Sequence, residues 1–219
     1  MAFLYGVTFL VLSTFGSLWT QEYGFSPGIG SLNYLSLALG YTIATQVSAR
    51  LNDKIYTLMS HKTGRAIPEH RLPMLAIGAL LMPCGLIIYA WTAQYRSHWI
   101  AVDIGALIYA AGTFTCFQCL QIYLIDTYTT YAASALAAAT ILRSIFGTCF
   151  PLFAPSLYEA LGYGWGTTTL ALLAVIIGWV TPPALWKYGP SLRARRSRIA
   201  AQVEGMVGPG VCEEVEAGR

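Results

Sequence analysis

The stretch PMLAIGALLMPCGLIIYAWTA, residues 73–93, contains no charged side chain and decides the class of fold. A transmembrane α-helix needs about 20 mostly apolar residues, because the hydrocarbon core of a bilayer is roughly 30 Å thick. Five further stretches have the same character, two of them interrupted by a single charge. We therefore predict six transmembrane helices, at residues 2–20, 28–49, 73–93, 99–124, 132–157 and 164–186.

The composition agrees with a chain whose main partner is the lipid bilayer. Hydrophobic residues make up 56% of the 219 residues and charged residues only 11%, whereas an ordinary soluble domain is about one quarter charged. The apolar runs are too long for the strands of a membrane β-barrel and do not alternate apolar with polar residues. The predicted fold is an all-α polytopic membrane domain over residues 1–186. Residues 187–219 are predicted to form a cytosolic tail, largely disordered.

The basic residues predict the orientation in the membrane. The net charge is only +3, but Lys and Arg concentrate in the loop at residues 50–72 and in the tail, while the loops on the opposite side contain only Arg96. By the positive-inside rule, this loop and both termini are cytoplasmic. The same distribution gives no indication of nucleic-acid binding.

The five cysteines do not predict a disulfide framework, a metal site or a cofactor. Cys116 and Cys119 form a C-x-x-C pair, but they lie deep in an apolar run, whereas a redox pair needs an exposed thiol with a lowered pKa. We interpret the pair as part of helix packing.

One long string and several shorter ones carry a resemblance to a known family. The long string is YLIDTYTTYAASALAAATILRSIFGTCFPLF, residues 123–153. The shorter strings are PEHRLP at 68–73, YGFS at 23–26, HWI at 98–100, LGYGWG at 161–166 and KYGPSLRAR at 187–195. In this order and spacing the chain resembles the fungal drug:proton antiporters of the major facilitator superfamily. The resemblance implies that the six helices correspond to spans seven to twelve, the C-terminal half of such a transporter.

The string ARLNDK, residues 49–54, is similar to a cytoplasmic loop motif of the superfamily. The resemblance implies that Asp53 and Lys54 are its charged pair, with a gating or structural role. Gly16 and Val102 stand where the family pattern has proline, and Asp103 stands where an apolar residue is usual.

Arg143 is the most unusual residue inside a predicted span, because an arginine near mid-bilayer costs about 3 kcal/mol on insertion scales. It shares a helix face with the small and polar residues Thr140, Ser144, Gly147 and Thr148. That face indicates contact with protein or with a water-filled cavity. Arg143 either binds substrate or ties two helices together.

The resemblance implies that the first, second, fourth and fifth spans line a central cavity, while the third and sixth face lipid. On that basis the candidate substrate contacts are Arg143, Gln118, Gln121 and Tyr5. Asp126, at the cytoplasmic end of the fourth span, is predicted to cap the following helix or to pair within the loop.

The resulting functional prediction is a transporter, or half of one, that exports small amphipathic molecules such as drugs or a fungal secondary metabolite by proton exchange. It would lie in the plasma membrane with a second six-span half or as a homodimer. A truncated, non-transporting fragment is an alternative, favoured by a first span that starts at Met1 without a hydrophilic leader. A small membrane enzyme such as a terpene cyclase is another, disfavoured because general acid chemistry needs a deep Asp or Glu.

Overall fold

A computed structural model describes the backbone of residues 1–63, 68–128 and 131–207, and the side chains of residues 1–61, 70–128 and 131–187. Within these ranges the chain is helical and contains no β-strand, which confirms the all-α class. A π-helical turn, Leu18–Glu22, extends the first helix, and a 3₁₀ turn, Pro68–Arg71, precedes the fourth. The α-helices are α1 Ala2–Ser17, α2 Pro27–Leu32, α3 Tyr34–Thr63, α4 Leu72–Gln94, α5 Trp99–Thr127 and α6 Ala132–Val207.

Four helical segments of the described chain are long and apolar enough to cross a bilayer. They are Ala2–Glu22, Leu72–Gln94, Trp99–Thr127 and Ala132–Lys187. The first three agree with the first, third and fourth predicted spans to within three residues at each end. The polytopic membrane character of the chain is thereby confirmed.

The second predicted span differs from the sequence-based expectation. Its helix is interrupted at Asn33, between α2 and α3, and α3 continues to Thr63, well beyond residue 49. The extension follows from helix-forming residues in the stretch RLNDKIYTLM, residues 50–59. Polar side chains such as Thr42, Thr45 and Gln46 make α3 less apolar than the four candidate spans. Residues 28–49 stay a predicted span.

The fifth and sixth predicted spans both lie in α6, on either side of a break. At Gly162 the backbone has φ 71° and ψ 171°, which is outside the helical region and open essentially only to glycine. The Gln94 side-chain oxygen accepts a hydrogen bond from the Gly164 N–H at 2.8 Å on the far side of the break. The break therefore divides the long apolar segment where the sequence predicts a short loop. The total of six spans stays a prediction.

Glycine governs the packing of α4 against α5, which contact each other more extensively than any other pair among α1 to α5. A Cβ atom on Gly85 would overlap the backbone nitrogen of Tyr109, and one on Gly112 would overlap that of Met82. Without those atoms the two backbones approach closely, as small residues permit between membrane helices. Phe15 of α1 completes the core by packing its ring against Tyr89 of α4, with a centroid distance of 6.0 Å.

The thiols of Cys116 and Cys119 are free and buried in this core. The Cys116 Sγ lies 3.8 Å from the carbonyl oxygen of Leu75, which places it at the contact between α4 and α5.

The chain divides into two compact units, Met1–Pro182 and Pro183–Arg219. In the second unit the backbone is helical as far as Val207. The sequence analysis predicts that residues 187–219, which include this part of the helix, are largely disordered. The run RARRSRIAAQVEGM, residues 193–206, is rich in Ala and Arg, which favour a helix. Residues 208–219, for which disorder is also predicted, lie outside the described residues.

Candidate functional site

A cavity of about 270 Å³ lies between α1, α3 and α5. Its walls are largely aromatic and aliphatic, and hydroxyl groups from each of the three helices provide its polar atoms. The lining residues are Leu4, Tyr5, Thr8, Tyr41, Thr113, Phe114 and Phe117. An apolar pocket with a few convergent polar groups is the usual form of a small-molecule site.

The guanidinium of Arg143, on α6, lies beside this cavity between two aromatic rings. Its carbon is 5.2 Å from the ring centroid of Tyr5 and 5.3 Å from that of Phe117. Both distances are within the range of a cation–π interaction, which offsets part of the cost of holding the charge away from water. Gly147, one turn along α6, permits this approach, because a Cβ there would lie 2.9 Å from the Tyr5 ring.

Three buried polar atoms around the cavity have no hydrogen-bond partner in the described part of the chain. They are the Tyr41 hydroxyl, the Thr113 hydroxyl and the Arg143 Nε. A buried donor or acceptor without a partner costs about 1–3 kcal/mol, so a bound molecule that supplied partners would recover that energy. The geometry therefore suits a ligand with an apolar body and hydrogen-bonding oxygens.

The two glutamines predicted as substrate contacts do not line this cavity. The Gln118 side-chain oxygen accepts a hydrogen bond from the Ser48 hydroxyl at 3.0 Å, which ties α5 to α3. Gln121 lies almost one turn further along α5 and is half-buried. Of the four predicted contacts, the structure brings together Tyr5 and Arg143.

Sequence reasoning did not single out Tyr41, Phe114 or Phe117 as cavity residues. Phe114 and Phe117 are three residues apart on one helix face, a signal present in the sequence. Such spacing does not distinguish cavity residues from ordinary helix packing, and Tyr41 gave no signal at all.

The lining residues of the cavity come from α1, α3 and α5, and Arg143 of α6 lies beside it. Helix α4 does not line it. One face of α4 packs on α5, and the other exposes large aliphatic side chains: Ile77, Leu80, Leu81, Ile87 and Ile88.

A second cluster of polar residues joins α3, α5 and the turn before α4. The Arg71 Nε donates to the Asp126 carboxylate at 2.8 Å, and an Arg71 terminal nitrogen lies 3.5 Å from the Asp53 carboxylate. The guanidinium also stacks over the Tyr56 ring at 4.6 Å. Beside it, the His70 side chain is 2% exposed and its Nδ1 lies 3.2 Å from the Ser60 hydroxyl.

This cluster includes one of the two charged residues of the loop motif. Asp53 and Lys54 are adjacent, so they project from different sides of the helix. Lys54 is exposed, and Arg71 is the partner of Asp53. Asp126 pairs with the same arginine, so pairing rather than capping describes its side chain.

The opposite end of the bundle is held by Arg96, which donates to the Glu22 carboxylate at 2.7 Å. The neighbouring Tyr23 hydroxyl donates to the carbonyl oxygen of Ser97 at 2.8 Å. Burial raises the pKa of Tyr23, and the Arg96 charge opposes that rise. These contacts tie the end of α1 to the loop between α4 and α5.

Comparison with curated proteins shows similarity to fungal transporters. The chain is 49% identical over 195 residues to the efflux pump vrtL of Penicillium aethiopicum, covering 89% of this chain and 39% of that protein. It is 45% identical over 196 residues to the MFS-type transporter oryF of Aspergillus oryzae, covering 89% and 41%. It is 42% identical over 195 residues to the efflux pump radE of Floropilus chiversii, covering 88% and 36%.

No family model and no solved structure matches the chain. The chain spans about two fifths of the length of the curated relatives it matches. It therefore matches the C-terminal half of a transporter of the major facilitator superfamily, as the sequence motifs predict. These relatives are transporters and not enzymes, so the membrane-enzyme alternative gains no support from them.

Proposed function

We propose that this chain works as part of an efflux transporter for small amphipathic molecules, and that the cavity beside Arg143 contacts the substrate. The main support is the position of the Arg143 guanidinium between the rings of Tyr5 and Phe117, at the edge of an aromatic cavity. Two hydroxyl groups of that cavity have no hydrogen-bond partner among the described residues. Aromatic walls favour an apolar, planar body. The cation and the hydroxyl groups favour a substrate with carbonyl, phenolate or carboxylate oxygens, as many drugs and secondary metabolites have.

The size of the cavity supports a site shared with another six-span half. Its volume of about 270 Å³ is below the roughly 300–1,000 Å³ of a drug-sized pocket. In transporters built from two repeats, the substrate lies at the interface between them. We infer that the remaining contacts come from a second half, or from a second copy of this chain.

We propose that the Arg71 cluster is a structural clamp at the cytoplasmic ends of α3 and α5. The Asp126 pair supports this role, because it joins an arginine 14% exposed to a carboxylate 30% exposed. A charged hydrogen bond of this kind contributes more than a fully exposed pair. The basic loop at residues 50–72 supports an orientation with both termini in the cytosol. We propose the plasma membrane as the site of action.

The test is a chimera in which these 219 residues follow the N-terminal half of vrtL, expressed in cells that accumulate a fluorescent efflux substrate. Arg143→Leu is expected to leave the chimera in the membrane, because removing a charge lowers the cost of insertion, and to abolish export. Arg143→Lys is expected to retain only part of the export, because a lysine keeps the charge but lacks the planar group that stacks between two rings.

Thr169→Ala is the control, since Thr169 lies in the sixth predicted span, is exposed, and donates to the carbonyl of Trp165 within its own helix. Its export should equal that of the unaltered chimera. Normal export by Arg143→Leu at equal expression would assign Arg143 to helix packing and would refute the proposed substrate contact.

A further inference from the structure

A second and larger concave surface, of about 540 Å³, lies between α5 and the α2–α3 segment, away from the Arg143 cavity. Its walls are mostly large apolar side chains that are 44–69% exposed: Ile29, Leu32, Leu35, Leu39, Trp99, Ile100 and Ile104. We call this surface the α3–α5 groove. It contacts none of the residues assigned above to substrate or to the Arg71 clamp.

Two polar groups in the groove lack hydrogen-bond partners in the described part of the chain. They are the Oδ1 of Asp103, an acceptor, and the Nδ2 of Asn33, a donor. The Asn33 side chain is 8% exposed, at the interruption between α2 and α3. An amide this deeply buried normally has a partner, because leaving it without one costs about 1–3 kcal/mol.

The protein donor near Asp103 is shared with a second acceptor. The Ser36 hydroxyl donates to the backbone carbonyl oxygen of Asn33 at 2.7 Å and also lies within reach of the Asp103 carboxyl group. A hydroxyl has one proton, so it serves one acceptor at a time.

The charge of Asp103 is also unbalanced within the described residues. Asp103 is half-buried, one turn into α5, and none of the described ion pairs includes it. The cation closest along the chain, Arg96, is bound to Glu22. A carboxylate within a membrane helix is costly unless something compensates it, and an apolar residue would fill the same position without that cost.

We propose that the α3–α5 groove binds a lipid-soluble primary amine other than a phospholipid, with its ammonium group on Asp103 and its apolar body along Leu35, Leu39 and Ile104. The carboxylate complements the cation, and the apolar walls complement the body. The Asn33 amide would donate to an ether or carbonyl oxygen near the amine. A volume of about 540 Å³ suits a drug-sized molecule. Binding here needs no transport and no second half, so it is independent of the proposed function.

The experiment uses the 219-residue chain in phosphatidylcholine nanodiscs, because the choline headgroup has no N–H to donate to Asp103. The probe is N-dansyl-1,6-diaminohexane, and its N-acetyl derivative is the neutral counterpart. Equilibrium dialysis against empty nanodiscs gives the specific binding. We expect the amine to bind at least about tenfold more tightly than the acetylated probe, which corresponds to about 1.4 kcal/mol.

Asp103→Asn is expected to remove that preference, while Glu159→Gln should preserve it. Glu159 is an exposed carboxylate near the Gly162 break, so the control removes the same charge elsewhere. If Asp103→Asn fails to fold, Leu39→Trp decides the matter. It fills the groove from a position 47% exposed and is expected to block the amine.

Energy transfer from tryptophan to the dansyl group locates the bound probe, and Trp99→Phe should weaken that energy transfer, because Trp99 lines the groove. Equal affinity for both probes, or unchanged binding by Asp103→Asn or Leu39→Trp, would overturn the proposal. Displacement of the amine by phosphatidylethanolamine at bilayer proportions would also overturn it, since the occupant would then be a lipid headgroup.

Discussion

At the scale of single residues, three charges illustrate how the fold accommodates polar groups in an apolar chain. Arg143 lies between aromatic rings, and Arg71 lies between two carboxylates and a ring. Asp103 has no ion pair with any cation whose side chain the structure describes. The first two charges are compensated by contacts that only the folded chain supplies. The charge of Asp103 is the least compensated of the three. For that reason we propose that an external ligand binds it.

The Arg71 cluster makes a prediction at this scale. Asp126→Asn should lower the thermal stability of the detergent-solubilised protein more than Asp53→Asn, because Asp126 is 30% exposed and 2.8 Å from Arg71, whereas Asp53 is 75% exposed and 3.5 Å away. We expect a loss of about 1–3 kcal/mol for Asp126→Asn and of less than about 1 kcal/mol for Asp53→Asn. Melting midpoints from fluorescence size exclusion give the comparison. Equal shifts for the two variants would contradict the clamp role of Asp126.

At the scale of helices, close backbone contact replaces the hydrophobic effect as the source of association. Lipid tails are as apolar as leucine side chains, so helices in a bilayer gain little by burying apolar surface against each other. The α4–α5 pair gains instead from van der Waals contact at Gly85 and Gly112, where each glycine faces the backbone of the other helix. Gly162 has a different role from these packing glycines, because the backbone break at Gly162 ends one helix and starts the next.

Gly85→Ala tests the contact between α4 and α5. The added Cβ would overlap the Tyr109 backbone and force the helices apart, so we expect a destabilisation of about 1–3 kcal/mol, the usual cost of overpacking. Gly28→Ala is the control, because a Cβ at Gly28 meets nothing within 4 Å and alanine favours a helix. The melting midpoint of Gly85→Ala should fall. That of Gly28→Ala should stay level or rise. A Gly85→Ala protein as stable as the parent would show that the backbones are further apart than described.

The orientation of the helices makes a prediction that cysteine labelling can check. Because Lys and Arg concentrate in residues 50–72 and in the tail, Ser97→Cys should react with an impermeant maleimide in intact cells, and Lys62→Cys should react only after permeabilisation. The parent chain, labelled in the same way, measures the reaction of the native cysteines. Cys84 and Cys149 are exposed but lie on apolar helices, so we expect them to react little with the impermeant reagent. Labelling of Lys62→Cys alone in intact cells would invert the proposed topology.

At the scale of the whole molecule, the first compact unit, Met1–Pro182, contains the helices that form the Arg143 cavity. The relatives are more than twice as long, and alternating access in this superfamily uses two halves that rock about a shared site. The sequence also has no Asp, Glu or His in the central part of any predicted span. A copy of the same chain would therefore add no central carboxylate and would bring a second Arg143 to the cavity.

We accordingly predict that these 219 residues alone do not catalyse proton-driven export. Proteoliposomes containing only this chain should show the efflux of empty vesicles, with or without a pH gradient. The chimera with the N-terminal half of vrtL, reconstituted in the same way, should export the substrate when the gradient is imposed. Gradient-dependent efflux by the chain alone would show that a homodimer supplies what one copy lacks.

The sequence by itself determined the class of fold and most of the helix positions. Long apolar runs set the bounds of α4 and α5 to within a few residues, because the length of an apolar run depends only on local composition and on the thickness of a bilayer. The sequence also singled out Arg143 and Tyr5 as candidate substrate contacts, and that role stays a prediction.

Only the tertiary structure decided which side chains meet. Arg71 and Asp126 are 55 residues apart, and the positions of Asn33 and Asp103 on one groove had no counterpart in any sequence pattern. Helices that are apolar on every side carry no amphipathic stripe to fix their rotation. Their rotation and register follow from the steric fit of glycines and large side chains between helices, which a linear sequence does not display.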